Sequence, residues 1–184
     1  CVMSSFQKRE CKKFQTQLSA SNVKKKKSLI YNKQMYLIGI ISMIVILDQW
    51  SKWLIKSSYN LYQSKPIIQD FLHFTYVTND GMAFGLSFPG GKQILLVMTI
   101  LLTGVIIAML WKERHSHYLN RYALSLILAG AIGNLIDRLI YGEVVDFLDV
   151  MLGDFHWYIF NIADSSVTIG MVLFIIHSIF FEKK

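Results

Sequence analysis

Four long apolar runs, separated by polar connections, constrain the fold of this chain more than any other feature. A helix rises about 1.5 Å per residue, so about 20 apolar residues cross a hydrocarbon core roughly 30 Å thick. Of the 184 residues, 53% are hydrophobic and 17% are charged, a composition typical of a membrane protein. The sequence therefore predicts an all-α membrane protein whose four transmembrane helices lie at about residues 35–56, 93–111, 121–138 and 162–181.

The distribution of basic residues predicts the topology. Residues 1–33 are polar and Lys-rich and are interpreted as a disordered cytoplasmic tail, followed by a single membrane domain over residues 34–184. With four spans, the tail, the 112–121 connection and the C-terminal lysines all fall on one side, which the positive-inside rule makes the cytoplasm. The net charge of +7 is therefore assigned to topology, and no nucleic-acid partner is expected.

The longest connection, residues 57–92, predicts a small sheet lying on the outer membrane surface. Residues 71–78 are rich in aromatic and β-branched side chains, which indicates a strand, and a turn-forming segment follows from Asn79. We expect the sheet at about residues 66–86. In the short connection, His115 and His117 are interpreted as solvated, and no residue spacing indicates a metal site.

Two aspartates lie at facing ends of the last two apolar runs, and each has an Asn three residues before it. Asn134 precedes Asp137, and Asn161 precedes Asp164. Counted from the cytoplasmic ends, the two carboxylates lie at depths of about 24 Å and about 27 Å. Asp48 lies at about 22 Å by the same count. Polar groups from three spans are therefore predicted to meet in one layer near the outer surface.

This polar layer has more than one interpretation. Two carboxylates held close together share a proton, and one can act as the base on a water while the other acts as the acid. The alternatives are an interhelical polar clamp in a structural subunit and a small transporter with proton-relaying acids. Asp48 and Lys52 are four residues apart and can pair, either as a structural ion pair or as part of a site.

Five motifs, in order from about Met35 to the C-terminus, resemble those of the bacterial lipoprotein signal peptidases, the signal peptidase II family. Ala129 departs from the family pattern, which commonly has Gly at this position. The motifs are Asp48-Gln-Trp-Ser-Lys52, Asn79-Asp-Gly81-Met-Ala-Phe-Gly85, Ala129-Gly-Ala-Ile-Gly133-Asn134-Leu-Ile-Asp137-Arg138, Val144-Val-Asp146-Phe147 and Phe160-Asn161-Ile-Ala-Asp164-Ser165.

The resemblance implies a membrane aspartic endopeptidase that removes the signal peptide from prolipoproteins carrying diacylglycerol on a cysteine, cleaving before that cysteine. It implies that Asp137 and Asp164 are the catalytic pair and that no metal or cofactor is needed. The residues that it implies bind substrate or shape the site are Asp48, Lys52, Asn79, Gly81, Asn134, Arg138, Asp146 and Asn161.

The resemblance also implies the surroundings of the site. It places the protein in the bacterial cytoplasmic membrane, in contact with membrane lipids, with the active site near the extracytoplasmic face. It implies a β-cradle, which residues 67–85 fit, and a short extracytoplasmic helix, which we expect over Leu148 to Tyr158. Inhibition by globomycin-type lipopeptides is a further implication.

Overall fold

The computed structural model describes residues 34–80, 90–152 and 155–181. Contacts divide the chain into two units, Cys1–Ile38 and Gly39–Lys184. Only the beginning of the first helix, residues 34–38, belongs to the described part of the first unit. The predicted tail over residues 1–33 and the predicted site residue Gly81 lie outside the described residues.

Within the described ranges, four helices are long and apolar enough to cross a membrane, which confirms the predicted fold class. The shortest has 19 residues, or about 28 Å at ~1.5 Å per residue, close to the thickness of a hydrocarbon core. The helices are α1 (Gln34–Ser58), α2 (Gly91–Lys112), α3 (Tyr118–Tyr141) and α4 (Ile162–Phe180).

The helix surfaces are apolar where they face outward. Along α2 only Gly91 and Thr103 are buried, although the helix is almost entirely apolar. Large exposed aromatic side chains cluster at both ends of the bundle, with Trp111 and Tyr118 at one end and Tyr141 at the other. From Tyr118 to Tyr141, α3 rises about 35 Å. Two aromatic belts at this spacing are typical of the two interfaces of a bilayer.

The close packing of α3 on α4 depends on two glycines. A methyl group at Gly130 would clash with the backbone of Ala163. At Gly133 it would come within 2.7 Å of Asp48 Oδ2 and 3.1 Å of Ala163 Cβ. These glycines therefore permit close helix approach, and Gly133 also makes room for a carboxylate from α1.

A four-stranded antiparallel sheet, in the order β1-β2-β3-β4, lies beside the helix ends. Its β2–β3 register pairs Leu72 with Val150 and Asn79 with Val144. The sheet therefore brings Asn79, at the end of β2, next to the beginning of β3. The strands are β1 (Ser64–Ile68), β2 (Leu72–Asn79), β3 (Val144–Leu152) and β4 (Phe155–His156).

The short helix predicted over Leu148 to Tyr158 is wrong. Residues up to Leu152 belong to β3, β4 pairs back onto it, and no described residue of the segment is helical. The backbone N–H groups of Phe147 and Leu148 also donate to Phe160 O at 3.0 and 2.7 Å. From Val144 to Phe147 every residue is buried. A strand buried on both faces shows no alternation, so its periodicity does not separate it from a buried helix.

Candidate active site

The fold brings together predicted site residues from three helices and two strands. Nine of the ten predicted residues are described. The residues that meet at the adjoining ends of α1, α3 and α4 are here called the carboxylate cluster. Its members are Asp48, Lys52, Asn134, Asp137, Asn161 and Asp164.

Lys52 is the centre of the carboxylate cluster. Its ammonium lies 2.8 Å from Asp48 Oδ2 and 2.9 Å from Asp137 Oδ2, and it donates to Asn134 Oδ1 at 3.1 Å. Lys52 is only 2% exposed, and the two aspartates are 0% and 1% exposed. Buried charges require partners, and three partners match the three N–H donors of an ammonium. The predicted Asp48–Lys52 pair therefore forms within the site and also engages Asp137.

Both aspartates beside Lys52 accept further hydrogen bonds. Asp48 Oδ1 accepts from the backbone N–H of Ala163 at 2.9 Å, in the first turn of α4. Asp137 accepts from Gln49 Nε2 at 2.9 Å and from the backbone N–H of Val145 at 3.2 Å. Gln49 was not predicted as a site residue. Its position, as an amide next to Asp48 in an apolar segment, could have indicated it.

Asp164 is held by a capping box at the start of α4. Asn161 is the N-cap, and its Oδ1 accepts from Asp164 N at 2.9 Å, while the Asp164 carboxylate accepts from Asn161 N at 3.3 Å. This reciprocal arrangement satisfies two otherwise unpaired helix donors. The same Asn-x-x-Asp spacing therefore occurs in two structural contexts. Asn134 and Asp137 lie on one face within α3, whereas Asn161 is the N-cap that precedes α4.

The two asparagines connect the carboxylates. Asn134 accepts from Lys52 and donates through Nδ2 to Asp164 Oδ1 at 2.7 Å. Asn161 Nδ2 lies 3.2 Å from Asn134 Oδ1 and donates to Asp146 Oδ1 at 2.6 Å. A continuous polar network therefore runs from Asp137 through Lys52 and Asn134 to Asp164.

Asp146, in β3, adds a third carboxylate beside Asp164. Its other oxygen accepts from Asn79 Nδ2 at 3.1 Å, and Asn79 in turn lies 2.6 Å from the Tyr158 hydroxyl. Burial and, to a smaller extent, the negative charge of Asp164 raise the pKa of Asp146 to about 7. Burial and the same two aspartates raise the pKa of Tyr158. Tyr158 was not predicted, because an isolated Tyr in a polar connection carries no spacing signal.

Asp137 and Asp164 line different cavities. Asp137 lines one of about 260 Å³, together with Lys52, Trp53 and Lys56. Asp164 is half-buried and lines one of about 470 Å³, whose other walls are mostly apolar and aromatic. These walls are formed by Trp157, Tyr158, Phe160, Ser165, Thr168 and Ile169.

Arg138 lies beside the network but is not hydrogen-bonded into it through Nε. That atom is buried without a partner in the described part of the chain. The guanidinium interacts electrostatically with Asp164, Asp146 and Asp137. Arg138 thus supplies positive charge next to three carboxylates and retains an unused donor. Within the described ranges, no cluster of three His, Cys, Asp or Glu side chains is arranged to hold a metal ion.

Comparisons with known proteins agree with this arrangement. The family model described as "Signal peptidase (SPase) II" matches residues 40–180, which include every member of the carboxylate cluster. A lipoprotein signal peptidase of Syntrophus aciditrophicus is 39% identical over 148 residues, covering 77% of this chain and 91% of that protein. One of Shouchella clausii is 44% identical over 142 residues, covering 77% and 90%.

Solved structures show the same architecture. A bacterial membrane enzyme superimposes with a TM-score of 0.68 at 35% identity, covering 81% of this chain and 93% of that one. A second structure of a bacterial membrane enzyme gives the same TM-score at 34% identity. The match spans most of both chains in each comparison.

Proposed function

Because the chain belongs to the signal peptidase II family, we propose that Asp137 and Asp164 are the catalytic pair of an aspartic endopeptidase. The protein is a multi-pass membrane peptidase that removes the signal peptide from prolipoproteins. Neither a transporter nor a structural polar clamp is favoured for a member of this family. The proposal concerns the residues that cleave the bond and the form of the substrate.

The observation that carries the proposal is the link between the two carboxylates. Asp137 and Asp164 come from facing ends of α3 and α4 and are joined through Lys52 and Asn134. Asp137 is almost completely buried, whereas Asp164 is half-buried and borders an open cavity. Two carboxylates in unequal environments can take the separate roles of acid and base.

In the proposed reaction the pair carries one proton. The ionised carboxylate removes a proton from a water, whose oxygen attacks the scissile carbonyl carbon, while the protonated carboxyl donates to the carbonyl oxygen. The tetrahedral intermediate then collapses, the C–N bond breaks, and the leaving nitrogen takes a proton from the pair. The proton belongs to the coupled pair rather than to one residue. Asn134 and the capping box would keep the carboxylates fixed during these transfers.

The surroundings of the pair support a substrate that remains in the bilayer. We infer that the substrate cysteine carries diacylglycerol and that cleavage occurs just before this cysteine. The apolar cavity at Asp164, with Trp157, Phe160 and Ile169 in its walls, would take an acyl chain or an apolar side chain. Arg138 and Asn79 would bind polar groups of the peptide or head group, and globomycin-type lipopeptides would compete for the same space.

We further propose that both termini are cytoplasmic and that the carboxylate cluster lies near the extracytoplasmic face of the cytoplasmic membrane. Lys112 and Arg114 lie at the end of the bundle opposite the cluster. The positive-inside rule then assigns that opposite end to the cytoplasm. Cysteine labelling from either side of the membrane, at single cysteines placed in residues 112–117 or 57–63, tests this orientation.

The test of the catalytic pair uses full-length Asp137→Asn and Asp164→Asn proteins in detergent, with a diacylglyceryl-modified prolipoprotein as substrate. We expect each variant to lose activity by about 10²–10⁴-fold. Asp149→Asn is the control, because Asp149 is as buried as Asp137 but accepts a hydrogen bond from Thr75 in the sheet. A thermal melt establishes that each protein is folded. Near-parent activity in either folded variant would reject the pair.

A further inference from the structure

A third cavity lies at the end of the bundle opposite the carboxylate cluster. It has a volume of about 490 Å³ and is formed where α2 ends, α3 begins and α4 ends. We call it the Asn120 cavity, and its polar wall includes Glu113, His117, Asn120 and His177. Asn120 is seventeen positions before Asp137 on α3, or about 26 Å away along the helix axis. The cavity therefore takes no direct part in peptide cleavage.

The Asn120 cavity contains a buried acceptor that nothing described satisfies. Asn120 is 5% exposed, and its Oδ1 has no hydrogen-bond partner among the described residues. Its Nδ2 donates to Ser116 Oγ at 3.3 Å and lies 3.5 Å from Glu113 Oε2. Reversing the amide would turn its oxygen toward the Glu113 carboxylate, so the hydrogen-bond network fixes the orientation. Glu113 and Asn120 both line the cavity, so its wall contains a carboxylate and an amide whose oxygen has no partner among the described residues.

The two histidines complete the polar wall. His117 was predicted to be solvated, but it is the N-cap of α3, and its Nδ1 accepts from Leu119 N at 3.4 Å. This bond leaves the ring proton on Nε2, where it is a donor. His117 stacks on Phe181 at 4.8 Å and on His177 at 5.7 Å between ring centroids. The wall therefore combines acceptors for a cation with a donor for an anion.

The position of the cavity indicates the source of its ligand. Met109, Phe174 and Phe181 form apolar parts of the wall. Trp111, Tyr118 and Phe180, at the same end of the bundle, are 71%, 62% and 73% exposed. Exposed aromatic side chains at this level mark a membrane interface. A cavity at that depth opens among lipid head groups, which are the most concentrated ligands there.

We propose that the Asn120 cavity binds the head group of a phospholipid that has a primary ammonium, such as phosphatidylethanolamine. The ammonium donates to Asn120 Oδ1 and to the Glu113 carboxylate, and the adjoining phosphate accepts from His117 Nε2. Lys112 and Arg114, at the same end of the bundle, add positive charge near the phosphate. A quaternary ammonium has no N–H group, so phosphatidylcholine cannot make the first two bonds.

The test compares two lipids with identical acyl chains. Full-length protein in detergent is offered phosphatidylethanolamine and phosphatidylcholine together, and native mass spectrometry measures the ratio retained. We expect about tenfold preference for phosphatidylethanolamine, because a hydrogen bond to a charged group supplies about that factor. Both Asn120→Leu and Glu113→Gln should bring the ratio to about two or less. Glu113 is half-buried and outside the helix interior, so its variant remains informative if Asn120→Leu does not fold.

Two control variants separate this site from general effects. Thr103→Val lies in α2 away from the cavity, bonds only locally to Thr99 O, and should keep the tenfold preference. Lys112→Gln should weaken both lipids together and leave their ratio unchanged. Equal binding of the two lipids by the parent protein, or an unchanged ratio in folded Glu113→Gln, overturns the proposal. Loss of the preference on adding millimolar free ethanolamine would assign the cavity to a soluble amine and overturn the lipid assignment.

Discussion

The two ends of the helix bundle differ in how completely their buried polar groups are paired. In the carboxylate cluster, Lys52, Asp48 and Asp137 are almost fully buried and bonded to one another and to backbone N–H groups. In the Asn120 cavity, the described structure leaves Asn120 Oδ1 without a partner. A completed network holds its members in place, whereas an incomplete one has room for a ligand. Arg138 Nε, which also has no partner in the described part of the chain, fits the same rule at the end that contains the carboxylate cluster.

The largest effect should follow from removing the central cation of the carboxylate cluster. Lys52→Met leaves the buried carboxylates of Asp48 and Asp137 without their shared partner, and breaking a buried pair costs about 3–5 kcal/mol. Chemical denaturation in mixed micelles measures the free energy of unfolding. Lys56→Met is the matched control, because Lys56 is exposed one turn further along α1 and contacts the Tyr141 ring. A Lys52→Met protein as stable as the control would contradict the central role of Lys52.

The next effect is a pH dependence at the edge of the carboxylate cluster. The pKa of Asp146 is about 7 in the folded protein against 3.8 unfolded, so folding binds a proton between these values. Protonation of Asp146 therefore stabilises the folded state. This contribution to the free energy of unfolding, roughly 2–4 kcal/mol, is fully present below pH 3.8 and is lost as the pH rises through about 7. Melting temperatures from pH 4 to 8 should therefore fall less in Asp146→Asn than in the parent. Tyr158→Phe, which removes a neighbouring hydroxyl, should retain the parent's slope.

A smaller effect is expected where α3 makes room for Asp48. A methyl group in Gly133→Ala would approach Asp48 Oδ2 and Ala163 Cβ too closely, and overpacking of this kind costs about 1–3 kcal/mol. Peptidase activity should fall with it, because Asp48 also holds Ala163 N in the first turn of α4. Gly104→Ala is the control, since nothing lies within 4 Å of its added methyl. It should be neutral or stabilising, because alanine favours the helix.

The smallest change in stability should be found at the Asn120 cavity, where it tests the difference between the two ends of the bundle directly. Asn120→Leu removes weak bonds together with an unsatisfied acceptor, so we expect a change within about 1 kcal/mol. Asn134→Leu, on the same helix, removes one hydrogen bond from Lys52 and one from Asp164, and it should be more destabilising by about 2 kcal/mol or more. Equal losses in both variants, measured by thermal melts without added lipid, would remove the distinction between the two ends.

Much of the fold could be predicted because it depends on local patterns. The four helices follow from hydropathy and helix rise, and the predicted bounds agree with the structure to within a few residues. The β2 strand was expected from its β-branched and aromatic residues, and it forms at Leu72–Asn79. The helix expected over Leu148 to Tyr158 came from the family resemblance and not from a local pattern, and β3 and β4 occupy this segment instead.

The site could be predicted only in part. Equal depths along three spans grouped Asp48, Asp137 and Asp164 in one layer, since helix rise is the same in every sequence. Depth contains no information about rotation around the helix axes, so it did not indicate that Lys52 contacts Asp137 or that Gln49 joins them. The spacing of Asn161 and Asp164 likewise fits a helix face and a capping box equally well.

Local sequence patterns were sufficient to predict four membrane-crossing helices and a group of carboxylates near one end of the bundle. These predictions were possible because the insertion of an apolar segment into lipid and the rise of a helix depend only on residues close together in the chain. Which polar groups form hydrogen bonds with one another depends on the tertiary structure. In the tertiary structure β3 pairs with β2, Asp48 packs against Gly133, and Asn120 Oδ1 has no partner among the described residues. Those outcomes depend on which faces of distant segments meet, and close packing leaves few alternatives once they have met.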